Sequence, residues 1–205
     1  FKGEFNKFKI KKTKNQFSLN SEQKKSLDFI RSFGNNYNVT VLEGVTGSGK
    51  TLVYFKRIKD LVDKGLQALI LLPEIALTNQ FSRRYKEFFG TNPAIWHSAT
   101  TKKNKSIIWK GITEGEIKIV IGARSSLFLP FKNLGIIIVD EEHDASYKQD
   151  EGISYNARDM AITRASFENI PINLVTSIPS VETYNNIVNK KYYITKLNKR
   201  YKEAS

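Results

Sequence analysis

The chain has 205 residues, enough for one large domain or two small ones. Lys and Arg number 33 against 20 Asp and Glu, and the resulting net charge of +13 points to a polyanionic partner without saying which one. The absence of cysteine excludes a disulfide framework, a thiol nucleophile and a cysteine-bound zinc site within these residues. No apolar run reaches the ~20 residues of a membrane span and no secretion signal is present, so we expect no membrane partner and a cytoplasmic location.

The first 16 residues are rich in lysine and lack an apolar period. They predict a basic linker from a missing N-terminal domain, and both a solvated segment and a nucleic-acid contact stay open for it. Asn20 is then a candidate N-cap, with Gln23 in the capping-box position three residues later. A helix is expected from there to the Gly-Asn-Asn turn at 34–36.

Short apolar runs alternate with longer polar or amphipathic stretches in the rest of the chain. The runs predict strands at 39–42, 68–72, 94–96, 117–121, 136–139 and 172–175. Continuous apolar runs indicate strands that are buried on both faces. The predicted fold class is therefore α/β, a mostly parallel β-sheet with helices on both faces. Residues 189–205 turn basic again and predict a hinge toward missing sequence.

A glycine-rich segment at 44–51 matches the phosphate-loop pattern G-x-x-x-x-G-K-[ST] at every fixed position. Glycines let the backbone wrap around phosphate oxygens, and the helix that follows adds its free N–H groups and its dipole. We expect Lys50 to reach the β- and γ-phosphates and the Thr51 hydroxyl to ligate Mg²⁺. The predicted nucleotide-binding residues are Gly44, Thr46, Gly47, Ser48, Gly49, Lys50 and Thr51.

A second signal follows the apolar run that ends at Val139. Four polar residues come next, Asp140-Glu141-Glu142-His143, at the end of a predicted strand, where parallel sheets place functional groups. We expect Asp140 to hold Mg²⁺ through water, and Glu141 to orient or deprotonate the attacking water. His143 either couples the nucleotide state to another site or caps the strand end.

An Asp-Glu-x-His run after such a strand resembles the second motif of superfamily-two helicases. The stretches at 72–78, 122–128, 140–149, 155–159 and 179–183 are moreover similar to the PriA family of replication-restart helicases, in that family's order. The resemblance covers about residues 17 to 197 and implies a RecA-like P-loop NTPase lobe at 17–188. It implies an ATP-dependent 3′-to-5′ DNA helicase with ATP and Mg²⁺ as cofactors, single-stranded and forked DNA as substrate, and other primosome proteins as partners. A second lobe and a cysteine zinc module are expected only in a missing second half.

The resemblance also assigns residue roles. Gln23 is implied to contact adenine, which is compatible with its capping role. Thr78, Arg124 and Ser125 are implied to face DNA, and a surface ion pair is the alternative for Arg124.

Residues 145–158 resemble the family's aromatic-rich loop, which couples single-stranded DNA binding to ATP hydrolysis. Tyr147 and Tyr155 would stack on bases there, while Lys148 and Arg158 supply charge. Core packing is the alternative for each tyrosine.

The chain departs from the family's pattern at two places. Ile153 stands where a tryptophan is expected, and residues 176–178 read Thr-Ser-Ile where the third helicase motif usually reads Ser-Ala-Thr. The first change predicts weaker stacking in the aromatic-rich loop, and the second predicts weaker coupling of ATP hydrolysis to strand separation. The alternative function is therefore a truncated, degenerate remnant that binds nucleotide or DNA without coupled helicase activity.

Overall fold

Seven parallel strands form the main sheet of the computed structural model, which describes residues 17–149 and 154–200. Their bounds are β1 Val39–Gly44, β2 Gln67–Leu71, β3 Ala94–Trp96, β4 Ile119–Gly122, β5 Leu134–Asp140, β8 Ile172–Thr176 and β9 Tyr193–Leu197. The strand order is β3-β4-β2-β5-β8-β1-β9, so β5 lies in the middle. A separate antiparallel pair joins β6 Lys148–Gln149 to β7 Tyr155–Asn156.

Six α-helices cover the sheet in the described part of the chain. Their bounds are α1 Ser21–Ser32, α2 Lys50–Val62, α3 Asn79–Phe89, α4 Lys102–Glu114, α5 Ala157–Phe167 and α6 Val181–Val188. Helices α1, α2 and α3 pack their apolar side chains into one core, and α4 and α5 pack into the other. The predicted α/β class, with helices on both faces of a parallel sheet, is confirmed.

Strand β5 shows why continuous apolar runs predict this arrangement. All seven of its residues are buried. Ile136 and Ile138 belong to the core with α2, whereas Ile137 and Val139 belong to the core with α5. Side chains alternate between the two faces of a strand, so a strand that is covered on both faces must be apolar at each position.

The six predicted strands are all present, with ends shifted by up to two residues, but a seventh was missed. Strand β9 lies within the segment predicted as a hinge and pairs with β1, from Thr40 opposite Tyr193 to Gly44 opposite Leu197. It is an edge strand in which only Leu197 is buried, so it lacks a continuous apolar run. The lobe boundary predicted at residue 188 is therefore too early, because the sheet continues to Leu197.

Several expectations concern parts of the chain outside the described residues. These are the basic linker at 1–16, the effect of Ile153, and the last five residues of the predicted hinge. Within the described ranges, no helix is both long and apolar enough to cross a membrane.

The position of β9 predicts unequal effects of two truncations. Ending the chain after Val188 removes β9 and the buried Leu197 side chain, so we expect a loss of at least about 3 kcal/mol of stability and a Tm lower by about 6–12 °C. Ending the chain after Arg200 is the matched control, because it keeps β9 and the bonds from the Asn198 and Lys199 amides to Glu22. Thermal denaturation followed by circular dichroism measures both. Equal Tm values would show that β9 adds nothing to the fold.

Candidate functional site

The predicted phosphate loop connects β1 to α2 at the carboxyl edge of the sheet. Gly47 and Gly49 have φ angles of 80° and 83°, in the left-handed region that other residues rarely adopt. A Cβ on Gly44 would lie 2.6 Å from Ser48 Oγ, so the loop folds tightly over the end of β1. Helix α2 begins without a side-chain cap, which leaves its first N–H groups for an anion. This geometry suits a phosphate chain, and Lys50 Nζ meanwhile donates to the Gly44 carbonyl at 2.6 Å.

Gln23 connects α1 to this loop. Its side-chain Oε1 accepts from Asn20 N–H at 3.0 Å while Asn20 Oδ1 accepts from Gln23 N–H at 2.8 Å, which completes the predicted capping box. Its Nε2 donates to the Ser48 carbonyl at 2.9 Å. The side chain is fully buried. The capping role is confirmed, and the adenine contact stays a prediction.

Asp140 ends the middle strand β5. Its Oδ2 accepts from the Tyr54 hydroxyl at 2.8 Å and its Oδ1 accepts from Glu141 N–H at 3.0 Å. Burial raises the pKa of Asp140 to about 6, although the Tyr54 hydrogen bond and the charge of Lys50 act in the opposite direction. The carboxylate is thus held in a fixed orientation in a place that favours a neighbouring cation.

Tyr54 is a site residue that the sequence reasoning missed. It lies on α2 one turn after Thr51, is completely buried and donates to Asp140. Burial raises the pKa of Tyr54 well above its usual value, and the Thr51 side chain acts in the opposite direction, so both predicted magnesium ligands neighbour one phenol. A hydroxyl and a carboxylate are the hard oxygen donors that Mg²⁺ takes, so these residues fit that ion. The available signal was a tyrosine on the apolar stripe of α2, and it pointed to core packing alone.

Glu141 and His143 lie on the solvent side of the same run. Glu141 has a φ of 49°, a left-handed conformation that is uncommon for a residue other than glycine. Its Oε2 lies 3.8 Å from His143 Nε2, and both side chains are about two-fifths exposed. Glu141 is therefore accessible at the carboxyl edge, beside the phosphate loop.

His143 connects β5 to β8, because its Nδ1 lies 2.8 Å from Thr176 Oγ1. The Thr176 hydroxyl donates its one hydrogen to the Ile178 carbonyl at 2.7 Å, so at this contact the imidazole must be the donor. The altered third motif therefore still provides a hydroxyl, that of Thr176, which contacts His143. Ile178 contacts this hydroxyl through its backbone, and its side chain is 73% exposed. The contact of His143 with Thr176 joins the ends of β5 and β8 and is compatible with both roles predicted for His143.

Glu142 is a second missed residue and forms a buried network. Its Oε1 accepts from Ser180 N–H at 2.7 Å, and its Oε2 accepts from Thr183 Oγ1 at 2.9 Å and from Arg158 Nη1 at 3.2 Å. Arg158 also donates to Ser180 Oγ at 2.7 Å. The network joins β5 to α5 and to the start of α6.

Arg158 is consequently not the DNA contact that was predicted. Only 5% of the residue is exposed, and its guanidinium is taken up by Glu142, by Asp159 at 2.9 Å and by Ser180. A buried carboxylate requires a paired cation, and Arg158 supplies it. The sequence could not show this pairing, because Glu142 and Arg158 lie in separate elements.

Tyr147 was also predicted wrongly as a stacking residue. It is 1% exposed, and its hydroxyl lies 2.5 Å from the Asp140 carbonyl and 3.1 Å from the Leu71 carbonyl. A 3₁₀ turn at Ala145–Tyr147 folds the loop back over the strand ends. The core-packing alternative is therefore correct for Tyr147, whereas Tyr155 is half-buried and meets Phe128 edge-on at 5.8 Å between ring centroids.

The other predicted DNA contacts are at or near the surface. Thr78 is exposed and caps α3 by accepting from Phe81 N–H at 3.2 Å. Ser125 and Lys148 are exposed as well. Arg124 is half-buried and donates from Nη1 to the Lys148 carbonyl at 2.6 Å. These side chains remain candidates.

The raised pKa of Asp140 predicts a stabilising substitution at the site. Its pKa moves from 3.8 to about 6 on folding, so the folded state holds the proton more tightly and loses that advantage as the pH rises through about 6. Asp140→Asn removes the buried charge and should raise the free energy of unfolding by up to about 3 kcal/mol at pH 8, with the difference closing toward pH 4.

Urea denaturation without nucleotide or Mg²⁺ measures this effect. Asp28→Asn, on the exposed side of α1, is the control and should change stability by less than about 0.5 kcal/mol. The same stability difference for Asp140→Asn at both pH values would contradict a buried, desolvated carboxylate.

The buried network predicts unequal losses of stability when each of two adjacent glutamates is replaced. Glu142→Gln removes the charge that compensates Arg158 and should lower the free energy of unfolding by about 3–5 kcal/mol. Glu141→Gln changes a half-exposed side chain and should cost less than about 0.5 kcal/mol. Urea denaturation of both variants at neutral pH compares them. Comparable losses would mean that Glu142 has no special structural role.

Comparison with known proteins relates the chain to helicases. The DEAD/DEAH box helicase family matches residues 20–178. Replication restart protein PriA of Rickettsia conorii is 50% identical over 201 residues, which cover 97% of this chain and 31% of the relative. The same protein of Bacillus subtilis is 42% identical over 168 residues, covering 81% and 21%. The chain thus spans less than a third of these relatives' length.

Solved helicase structures share the fold. RecG bound to a three-way DNA junction is 26% identical, with a TM-score of 0.63, covering 87% of this chain and 24% of RecG. The DUF1998 helicase MrfA bound to DNA has a TM-score of 0.61 at 19% identity, covering 89% and 27%, and shows the fold alone. These likenesses confirm the RecA-like fold and, with the relatives above, the resemblance to PriA. The chain belongs to the DEAD/DEAH box helicase family.

Proposed function

We propose that the chain is the ATP-binding lobe of an ATP-dependent 3′-to-5′ DNA helicase that acts in replication restart. The observation that carries the proposal is the convergence of three neighbouring strand ends. β1 leads into the phosphate loop, β5 presents Asp140 and Glu141, and β8 between them presents Thr176 to His143. The similarity to proteins named replication restart protein PriA supports the replication-restart role. The 3′-to-5′ polarity is what the resemblance to that family implies.

In this proposal the chain's own residues bind and orient the nucleotide. The loop amides and the start of α2 cradle the phosphates, and Lys50 exchanges its bond to the Gly44 carbonyl for the β- and γ-phosphates. Thr51 and Asp140 would hold Mg²⁺, which would neutralise the charge that develops on the phosphates. Glu141, accessible beside them, orients the attacking water or takes its proton.

The link from this site to DNA runs through the end of β8. His143 donates to Thr176, and residues 176–180 lead into α6, where Glu142 binds the Ser180 N–H. A change at the γ-phosphate that moves Glu141 would therefore act on β8 through His143 and on α6 through Glu142. We infer that single-stranded and forked DNA binds along the carboxyl edge of the sheet, where Thr78, Arg124, Ser125 and Lys148 lie.

The remaining parts of the proposal come from the relatives' greater length and from their name. A second lobe would complete the nucleotide site and carry the zinc module, and other primosome proteins would be partners of the whole cytoplasmic protein. Charge stabilisation from the far side of the phosphates is worth orders of magnitude in related NTPases. The 205-residue chain alone should therefore bind nucleotide weakly and hydrolyse it very slowly.

Nucleotide binding to the chain tests the phosphate loop directly. Lys50→Ala should weaken binding of a fluorescent ATP analogue with Mg²⁺ at least about tenfold, because a charged hydrogen bond to phosphate is worth about 1.5–3 kcal/mol. Lys59→Ala, a lysine of α2 that pairs with Asp63, is the matched control and should bind like the native chain. Equal binding by all three proteins would remove the basis for the nucleotide site.

A turnover assay then separates the proposal from the degenerate remnant. Slow hydrolysis that is lost in Glu141→Gln, while this variant still binds nucleotide, supports an enzyme lobe. Binding without any hydrolysis by the native chain supports the remnant. Rapid DNA-stimulated turnover by the purified monomer would contradict the requirement for a second lobe.

A further inference from the structure

Phe128 is an exposed aromatic side chain on a fixed stretch of backbone. It ends the 3₁₀ turn Arg124–Phe128, and 57% of it is exposed. Its neighbours Leu127 and Leu129 are 2% and 1% exposed, and both pack into the core with α5. The chain is therefore anchored on each side of a residue that it holds in water.

Arg164 on α5 strengthens this anchoring. Its Nη1 donates to the carbonyls of both Leu127 and Leu129, the second at 3.0 Å. Its Nε pairs with Glu168 at 2.6 Å, which fixes the guanidinium itself. These bonds fix the backbone on both sides of Phe128 and hold this residue at the surface. Contiguous apolar patches, rather than single exposed apolar residues, mark interaction surfaces, so the neighbours of Phe128 decide its significance.

The surroundings of Phe128 are aromatic and basic. The ring of Tyr155 meets it at 5.8 Å and 74°, which extends the aromatic surface onto the β6–β7 pair. Arg124 begins the same turn and donates to the carbonyl of Lys148, whose own side chain is exposed. Two cationic side chains therefore border two rings, and the whole chain carries a charge of +13. Single-stranded nucleic acid offers matching groups, because it combines flat bases with negatively charged phosphates.

We propose that Phe128 and Tyr155 form an aromatic ledge on which a base of single-stranded DNA stacks, with Arg124 and Lys148 on the flanking phosphates. The proposal rests on the DNA-binding function proposed above and adds Phe128 as the main stacking residue. Tyr147 cannot take this role because it is buried. Stacking uses the flat face that every base has, so we expect the ledge to bind single-stranded DNA of any sequence.

Two fluorescent oligomers at low salt test the ledge on the 205-residue chain. One is oligo(dT), and the other is an abasic oligomer of equal length with the same phosphates and no bases. Phe128→Ala should weaken oligo(dT) binding about 5- to 100-fold and leave abasic binding within about twofold. Lys148→Ala should weaken both, since it removes a phosphate contact. Phe167→Ala is the matched control, because Phe167 is 86% exposed at the far end of α5, and it should change neither.

A tryptophan variant provides a second readout. Phe128→Trp should bind oligo(dT) at least as tightly as the native chain, and its added fluorescence should be quenched by oligo(dT) but not by the abasic oligomer. The native chain, which contains Trp96 and Trp109, gives the background signal.

Failure of the ledge and failure of DNA binding give different results. If the native chain binds neither oligomer at low salt, the DNA-binding function is wrong and the ledge with it. If the native chain binds oligo(dT) in a salt-dependent way and Phe128→Ala binds equally well, the ledge is wrong and DNA binding stands. Equal losses of Phe128→Ala on both oligomers would also overturn the ledge, because stacking requires a base.

Discussion

The buried carboxylate of Glu142 is the contact on which the arrangement of the candidate site depends. It lies one residue after Glu141 and receives hydrogen bonds from Arg158 on α5 and from Ser180 and Thr183 at the start of α6. A charge in that place is costly unless each of its oxygens has donors. Because these donors come from two other segments of the chain, the conformation of the run at the end of β5 depends on the placement of α5 and α6.

The four residues from Asp140 to His143 alternate between buried and exposed side chains. Asp140 and Glu142 point inward and are nearly buried, whereas Glu141 and His143 are about two-fifths exposed. The left-handed conformation of Glu141 turns the chain between the two buried carboxylates. The inward pair fixes the geometry, and the outward pair remains accessible for water and for the hydroxyl of Thr176. Glu142 is thus purely structural, whereas Asp140 combines a buried position with the proposed role of magnesium ligand.

The sequence predicted the parts of the site that a short continuous pattern encodes. The phosphate loop, the end of β5 and six strands follow from glycine spacing and from apolar runs that are covered on both faces. The missed features depend on contacts between distant segments. Arg158 pairs with a carboxylate 16 positions earlier, Tyr147 packs below the strand ends, and β9 is an edge strand with one buried residue. Local patterns predicted that Arg158 and Tyr147 are exposed loop residues, because the charge or the aromatic ring of a residue does not show whether it is buried.

Through its hydroxyl, Tyr54 partly stabilises the buried carboxylate of Asp140 at the proposed magnesium site. Its hydroxyl bonds Asp140 Oδ2, and burial raises the pKa of Tyr54 well above its usual value, so the phenol remains a donor. The bond offsets part of the cost of burying Asp140 but not all of it, since the pKa of Asp140 still rises to about 6. A fully solvated aspartate would avoid that cost and would also attract a cation less strongly. In the proposed magnesium site, a bound cation would relieve the residual destabilisation at Asp140, and the phenol limits that destabilisation while no cation is bound.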